Sequence, residues 1–218
     1  MKSSLQRPRV LLADDHTLVA EGISRLLEDE FELIGIADNG RHVLETAKRL
    51  APEVVILDIS MPQMNGIEAA RQLRTLLPET KIVFLTMHSD RVYVSEALRA
   101  GAMGYLLKKS AATELVHAIR TVLAGEVYLT PLLGGVAVAT AREGANSQRP
   151  LLTQRQREVL QLIAEGHSAK SMAEVLRIAV KTAEFHRAAI MDKLGLRSTA
   201  ELTRYAIEQK MINTSGDE

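Results

Sequence analysis

Residues 53–66 read EVVILDISMPQMNG, and this stretch decides the fold. The four apolar residues Val54–Leu57 come directly before Asp58, and the loop that follows contains Pro62 and Gly66. An apolar run without polar alternation is typical of a strand covered on both faces of a parallel sheet. A carboxylate directly after such a strand lies at the carboxyl edge, where open α/β sheets place their chemistry. Taken alone, Asp58 is equally compatible with a capped turn.

The surrounding chain repeats this pattern. Short apolar runs alternate with amphipathic stretches in which apolar residues recur at helical spacing, and this alternation predicts a doubly wound α/β domain over residues 8–124. We expect a five-stranded parallel sheet. Its predicted strands are Arg9–Ala13, Phe31–Ala37, Val54–Asp58, Lys81–Thr86 and Ala102–Leu107.

Residues 148–213 instead show only helical periodicity, which predicts a small all-α domain containing a helix-turn-helix. The predicted helices are Thr153–Ala164, Ala169–Leu176, Lys181–Leu194 and Ser198–Lys210. Residues 125–147 are interpreted as a linker, partly helical near Val136–Arg142. Its first residues, GEVYLTPLL, fit either a docking segment or the start of a connecting helix.

Composition limits the function classes. The 218 residues suit two small domains and contain no cysteine, which excludes disulfides and thiolate chemistry. Lys and Arg number 13 against 16 Asp and Glu in residues 8–124, and 10 against 7 in residues 151–213, so the two parts suit different partners. No apolar run approaches the roughly 18 residues that span a bilayer, and we expect a cytoplasmic protein.

Polar side chains stand at the ends of several predicted strands. They are Asp14, Asp15, Asp58, Thr86 and Lys108. Because the carboxyl ends of parallel strands share one edge, we expect these side chains to meet. Clustered carboxylates repel each other unless a hard cation lies among them, which favours Mg²⁺ and phosphoryl chemistry. The six histidines show no spacing typical of a metal site.

With these residues, the first part of the chain resembles the CheY-like receiver domain of two-component response regulators. The matching features include the Asp58-containing loop ending in MPQMNG and the stretch GYLLK at residues 104–108. The resemblance implies that Asp58 is the phosphoacceptor and that its carboxylate attacks the phosphohistidine of a sensor histidine kinase. It also implies an Mg²⁺ site formed by Asp15, Asp58 and the backbone carbonyl of Ser60, with Asp14 acting through water.

The same resemblance implies three further roles. Lys108 would pair with the phosphoryl group, Thr86 would move its hydroxyl toward it, and Tyr105 would turn inward behind Thr86. This switch would change the surface formed by the fourth helix, fifth strand and fifth helix. A half-buried edge-strand aromatic is the ordinary alternative for Tyr105.

Residues 151–212 resemble the LuxR-type helix-turn-helix of the NarL/FixJ class, on the motifs REVL, AEG, KTAEFH and KLG. Lys181–Leu194 would be the recognition helix in the DNA major groove. The residues implied to contact DNA bases are Glu184, Phe185 and Ala188, and those implied to contact the rest of the duplex are Lys170, Lys181, Thr182 and Arg187.

Some positions of this helical end admit alternatives. Phe185 either faces DNA or packs inside the bundle, whereas Ala183 and Ile190 are predicted to be buried. Relatives often pair through the last helix. Here that helix is Ser198–Gln209, and its candidate contacts for a homodimer are Leu202, Tyr205 and Ala206.

The interpretation favoured by both parts is a phosphorylation-dependent, DNA-binding transcriptional regulator that is not an enzyme. A haloacid-dehalogenase-like phosphatase also combines an Asp nucleophile with Mg²⁺, but it requires a DxD motif that Asp14-Asp15 does not provide. An orphan regulator, which binds DNA without phosphorylation, is the other alternative. The intact acidic residues argue against it.

Overall fold

The computed structural model describes residues 7–89, 91–133, 152–209 and 211–212. These residues belong to two compact units, an α/β unit and a unit of four helices. The predicted helix near Val136–Arg142 lies outside the described residues, as does the rest of the linker from residue 134 to residue 147. Within the described ranges, none of the helices is long and apolar enough to cross a bilayer.

The first unit confirms the predicted alternation of strands and helices. All of its strands pair in parallel, and the sheet order is β2-β1-β3-β4-β5-β6. The strands are β1 (Arg9–Ala13), β2 (Glu32–Ala37), β3 (Val54–Leu57), β4 (Lys81–Thr86), β5 (Gly104–Leu107) and β6 (Tyr128–Leu129). The helices are α1 (Thr17–Leu27), α2 (Gly40–Leu50), α3 (Gly66–Leu76), α4 (Arg91–Arg99) and α5 (Ala111–Leu123).

The central strand β3 is covered on both faces, as its unbroken apolar run predicts. All four of its residues have no exposed surface. On one face, Val54 and Ile56 belong to a core with Ile23 of α1 and Ile119 of α5. Burying each such side chain contributes about 1.5–3 kcal/mol. The core therefore fixes the position of Asp58, the next residue in the chain.

The sheet has six strands and not the predicted five. Tyr128–Leu129 pairs with β5, opposite Gly104 and Tyr105, and the 3₁₀ turn Pro131–Leu133 follows it. The Thr130 N–H donates to the Tyr105 carbonyl at 3.0 Å. Within the stretch GEVYLTPLL, for which we expect either a docking segment or the start of a connecting helix, Tyr128 and Leu129 therefore form an edge strand that docks on β5. A two-residue strand shows no measurable alternation, so periodicity does not reveal it.

Glu114 of α5 attaches this segment to the unit. Its carboxylate accepts hydrogen bonds from the Thr130 hydroxyl at 2.7 Å and the Tyr128 hydroxyl at 3.1 Å. Burial and the neighbouring Glu114 carboxylate raise the pKa of Tyr128. Thr130 is fully buried, and its hydroxyl oxygen also accepts from the Leu107 N–H at 3.4 Å. We name Glu114, Tyr128 and Thr130 the clasp.

Replacing Thr130 by valine should loosen the clasp while preserving side-chain shape. The variant leaves the half-buried Glu114 carboxylate and the buried Leu107 N–H without the hydroxyl, a loss of about 1 kcal/mol. Hydrogen exchange of the residue 130 amide should accelerate roughly fivefold, because this amide is protected by its bond to β5. Thr121→Val is the control, since the Thr121 hydroxyl bonds to the His117 carbonyl on exposed α5 surface. Equal effects in both variants would contradict a role for the clasp.

The second unit confirms the four predicted helices. They are α6 (Gln154–Ala164), α7 (Ala169–Leu176), α8 (Val180–Leu194) and α9 (Thr199–Glu208). Polar caps explain where the helices begin. Thr153 and Gln156 form a capping box at the start of α6, and the Ser198 side chain accepts from the Glu201 N–H at the start of α9. Gly195, with φ 67°, ends α8.

The core of this unit confirms one prediction and corrects another. Ala183 and Ile190 have no exposed surface, as predicted. Leu202 and Ala206 also have none and pack in the same core. Their i, i+4 spacing places them on the α9 face that contacts α6. Leu202 and Ala206 are therefore covered by the unit's own helices and are not available to pair two copies of the chain, whereas Tyr205, the third suggested contact, is only partly buried.

Candidate functional site

The carboxyl edge of the sheet brings together Asp14, Asp58 and Lys108. The Lys108 Nζ atom lies 2.8 Å from Asp14 Oδ2 and 2.7 Å from Asp58 Oδ2. Adjacent strands explain the meeting: β1 lies beside β3, and the Asp58 N–H donates to the Ala13 carbonyl at 2.9 Å. We call Asp14, Asp15, Asp58 and Lys108 the acidic site.

Burial and ion pairing together set the electrostatics of this site. It raises the pKa of Asp58, a shift that Lys108 opposes and Asp14 reinforces. Burial by itself would lower the pKa of Lys108, but the Asp58 and Asp14 carboxylates outweigh it and raise that pKa. Lys108 is therefore a persistent cation, and the two carboxylates still carry more negative charge than it compensates. A further cation would relieve this imbalance.

The donor atoms of the acidic site suit a metal ion. Asp14, Asp15, His16 and Asp58 each offer one ligand atom, and these atoms lie within 4.8 Å of one another. Carboxylate oxygens are the ligands that Mg²⁺ prefers. His16 is not among the predicted site residues, because the six histidines show no spacing typical of a metal site. The signal was the position of His16 directly after two strand-ending aspartates.

Gly66 fixes the loop that follows Asp58. A Cβ atom at this position would overlap the backbone oxygen of Asp58, so only glycine allows α3 to begin so close to β3. The Gly66 N–H donates to the Ile59 carbonyl at 2.9 Å and closes the loop. The Asp58 side chain accepts from the Ile59 N–H at 2.7 Å, which orients its carboxylate.

Thr86 and Tyr105 meet at the backbone of His88. The Thr86 hydroxyl accepts from the His88 N–H at 3.3 Å, and the Tyr105 hydroxyl donates to the His88 carbonyl at 2.9 Å. Tyr105 is fully buried, and its ring lies 6.2 Å from that of Phe84. The Tyr105 side chain therefore lies inside the unit in this structure. Since β6 covers β5, Tyr105 is not an edge-strand residue.

The His88 side chain reaches back to the loop after Asp58. Its Nε2 atom lies 2.7 Å from Ser60 Oγ, and its ring stacks on Tyr93 at a centroid distance of 3.9 Å. The sequence analysis gives Ser60 a role only through its backbone carbonyl, as an Mg²⁺ ligand. It gives His88 no role. The only sequence signal for His88 was its position two residues after Thr86. His88 connects the loop after Asp58, the Thr86 hydroxyl and the buried Tyr105.

The second unit presents an exposed face on α8. Phe185 is 69% exposed, which excludes the alternative that it packs inside the bundle. Arg177, with φ 53°, ends α7, and Ala179 precedes α8, so the turn forms without the glycine that a left-handed residue favours. The predicted DNA-contact residues are all exposed: Lys170, Lys181, Thr182, Glu184, Phe185, Arg187 and Ala188.

Two protein families match the chain. The response regulator receiver domain family matches residues 10–120. The LuxR family of bacterial regulatory proteins matches residues 150–206. The first match covers the strands that carry the acidic site, and the second covers α8.

Curated relatives match over nearly their full length. The transcriptional regulatory protein MctR of Rhizobium johnstonii is 40% identical over 215 residues, which cover 97% of this chain and 99% of MctR. The oxygen regulatory protein NreC of Staphylococcus aureus is 37% identical over 214 residues, covering 94% of this chain and 99% of NreC.

Solved structures of regulators also resemble the chain. RcsB from Salmonella enterica serovar Typhimurium, bound to a promoter in the presence of the phosphomimetic BeF₃⁻, is 26% identical with a TM-score of 0.59 and covers 92% of this chain and 98% of RcsB. A LuxR-family two-component response regulator from Aurantimonas is 31% identical with a TM-score of 0.60 and covers 63% of this chain and 100% of that chain. The protein therefore belongs to the two-component response regulators that carry a LuxR-type DNA-binding domain.

Proposed function

We propose that this protein regulates transcription in a two-component system and that Asp58 accepts the phosphoryl group from a sensor histidine kinase. The observation that carries the proposal is the Lys108 ammonium between the Asp14 and Asp58 carboxylates at the sheet edge. An aspartate that only caps a turn does not require a buried lysine shared with a second carboxylate. The family is one of DNA-binding transcriptional regulators, so a phosphatase of the haloacid dehalogenase type loses support.

The phosphoryl transfer uses few protein groups. The Asp58 carboxylate attacks the phosphorus of phosphohistidine, an O–P bond forms, and the P–N bond breaks as the imidazole leaves. Lys108 neutralises charge on the phosphoryl oxygens. Mg²⁺, held by Asp15, Asp58 and the Ser60 carbonyl and through water by Asp14, would supply the remaining positive charge. The orientation of Asp58 by the Ile59 N–H keeps the nucleophilic oxygen in place.

The His88 backbone transmits the new charge. A phosphoryl oxygen on Asp58 competes with the present arrangement for the Thr86 hydroxyl, which now accepts from the His88 N–H. If that hydroxyl turns to donate toward the phosphoryl group, the β4–α4 loop is released from it, while Tyr105 still holds the His88 carbonyl. The surface of α4, β5 and α5 changes as a result.

The output of the switch is DNA binding in the cytoplasm. The exposed face of α8 would enter the major groove, with Glu184 and Phe185 at base edges and Lys181 and Arg187 at phosphates. Phosphorylation would favour a homodimer on two half-sites. The RcsB structure bound to a promoter in the presence of the phosphomimetic BeF₃⁻ supports DNA binding by a phosphorylated regulator of this family.

Two substitutions on α8 should separate positioning from base recognition. Lys181→Ala should weaken binding to all duplexes alike and reduce the salt slope of binding by about 1, because a phosphate contact carries no sequence information. Phe185→Ala should instead reduce the difference in binding affinity between the preferred duplex and a scrambled one. The salt slope of binding should not change. Fluorescence anisotropy at several salt concentrations measures both quantities. Identical behaviour of the two variants would contradict these roles.

Titration with beryllofluoride and Mg²⁺ tests the proposal directly. We expect tighter binding to target DNA and a larger oligomer by light scattering in the wild-type chain, and neither change in Asp58→Ala. No change in the wild-type chain would overturn the switch and favour an orphan regulator that binds DNA without phosphorylation.

A further inference from the structure

We propose that His16 is an additional ligand of the divalent cation in the acidic site and that it shifts the site's preference from Mg²⁺ toward first-row transition metal ions. The inference rests on the proposed function only in requiring that a cation binds beside Asp15 and Asp58. It adds a nitrogen ligand to a site for which the sequence indicated oxygen ligands alone.

The position of the imidazole supports this assignment. His16 Nδ1 lies 3.1 Å from Asp14 Oδ1 and 3.1 Å from Asp15 Oδ1. Neighbouring ligands of an octahedral ion bound at 2.0–2.1 Å are about 3 Å apart, so His16 Nδ1 and Asp15 Oδ1 have the spacing of adjacent ligands. Nδ1 carries at most one hydrogen, which cannot serve two carboxylate oxygens well, whereas one cation attracts all three atoms.

The other atoms of the site leave this position available. Lys108 contacts the Oδ2 atoms of Asp14 and Asp58, so the Asp14 Oδ1 atom that faces His16 lies on the other side of its carboxylate. The backbone N–H of His16 donates to this Oδ1 at 2.9 Å and holds the residue beside the acidic site. The imidazole does not cap α1, although His16 occupies the N-cap position. Its side chain is 62% exposed, so a cation from solvent can reach it.

Ligand chemistry then sets the direction of the preference. Mg²⁺ binds oxygen and has little affinity for imidazole, whereas Mn²⁺, Co²⁺ and Ni²⁺ gain from a nitrogen ligand in rising order, and Zn²⁺ also binds imidazole well. A site that adds one imidazole to the Asp15 and Asp58 carboxylates should bind these ions more tightly than a site with oxygen ligands alone. His16 is therefore a residue that determines metal specificity.

The chain offers a matched control in His42. Its Nδ1 atom lies 3.1 Å from Asp38 Oδ1, the same contact that His16 makes, and its side chain is 47% exposed. His42 and Asp38 lie outside the group of residues that could hold a metal. Any general tendency of exposed histidines to bind transition metals should therefore appear equally in His42→Ala.

Electron spin-echo spectroscopy of the full chain loaded with Mn²⁺ tests the ligand. We expect modulation from an imidazole nitrogen in the wild-type chain and in His42→Ala, and its loss in His16→Ala while Mn²⁺ remains bound. Competition titrations should show Ni²⁺ binding relative to Mg²⁺ weakened roughly tenfold or more in His16→Ala only. Bound Mn²⁺ without nitrogen modulation in the wild-type chain, or an unchanged Ni²⁺ preference in His16→Ala, would overturn the inference and leave the proposed function intact. Failure of the wild-type chain to bind Mn²⁺ or Mg²⁺ would overturn both.

Discussion

Asp58→Asn is expected to abolish Mg²⁺-dependent labelling of the chain by acetyl phosphate or phosphoramidate. The amide cannot act as the nucleophile, and no other carboxylate of the site combines the Lys108 contact with the Ile59 N–H bond. Intact-mass spectrometry measures the labelled fraction. Asp38→Asn is the control, since Asp38 follows β2 at the same sheet edge but is exposed, and it should label normally.

Loss of labelling in Asp58→Asn should not come from misfolding, because the pKa of Asp58 predicts the opposite effect on stability. Its folded-state pKa is raised, chiefly by burial, so the stability linked to this group is fully present below the unfolded pKa and declines as the pH rises through the folded pKa. At neutral pH the ionised carboxylate therefore destabilises the fold. The neutral amide should raise the melting temperature at pH 7, and persistent labelling of this more stable variant would rule out Asp58 as the phosphoacceptor.

Lys108→Met is expected to produce the largest loss of stability among substitutions at the site. It removes the cation that contacts both Asp14 and Asp58 and leaves two buried carboxylates facing each other, at a cost of about 3 kcal/mol. Mg²⁺ should restore more stability to this variant than to the wild-type chain, because the ion then compensates charge that Lys108 no longer does. Thermal unfolding with and without Mg²⁺ measures both effects.

The same variant should uncouple phosphorylation from output. Without the ammonium group, phosphoryl oxygens on Asp58 lose a partner that fixes their position, so beryllofluoride should no longer tighten DNA binding. Lys109→Met is the control, since Lys109 is exposed and one residue further along the chain. If Lys108→Met were as stable and as responsive as Lys109→Met, the assigned role of Lys108 would be wrong.

The sequence predicted the features that depend on one strong local pattern. The apolar run before Asp58 predicted a strand that is covered on both faces of the sheet. Parallel pairing of the strands then places Asp14 and Lys108 at the same edge as Asp58, whatever the exact strand bounds. Helix positions in the second unit followed from apolar periodicity and from the caps at Thr153 and Ser198.

Other features depend on contacts that no local pattern records. β6 has only two residues, and it is a strand because its backbone pairs with that of β5, a contact that no local pattern predicts. The contacts of His16 and His88 depend on side-chain direction at loop positions. Leu202 and Ala206 formed an apolar stripe whose partner the sequence did not identify, and the stripe faces the bundle and not a second copy.

The sixth strand has a practical consequence for the choice of protein fragment. A receiver fragment ending at residue 124, the predicted domain boundary, would lack Tyr128–Leu129 and Thr130, so the Met103 and Tyr105 carbonyls would lose their N–H donors along β5. Bare strand edges of this kind recruit other chains. Such a fragment would self-associate edge to edge, and that association would be mistaken for dimerisation driven by phosphorylation. A fragment that continues through Leu133 retains the edge strand and the clasp. Association of this longer fragment can then be attributed to phosphorylation and not to an exposed β5 edge.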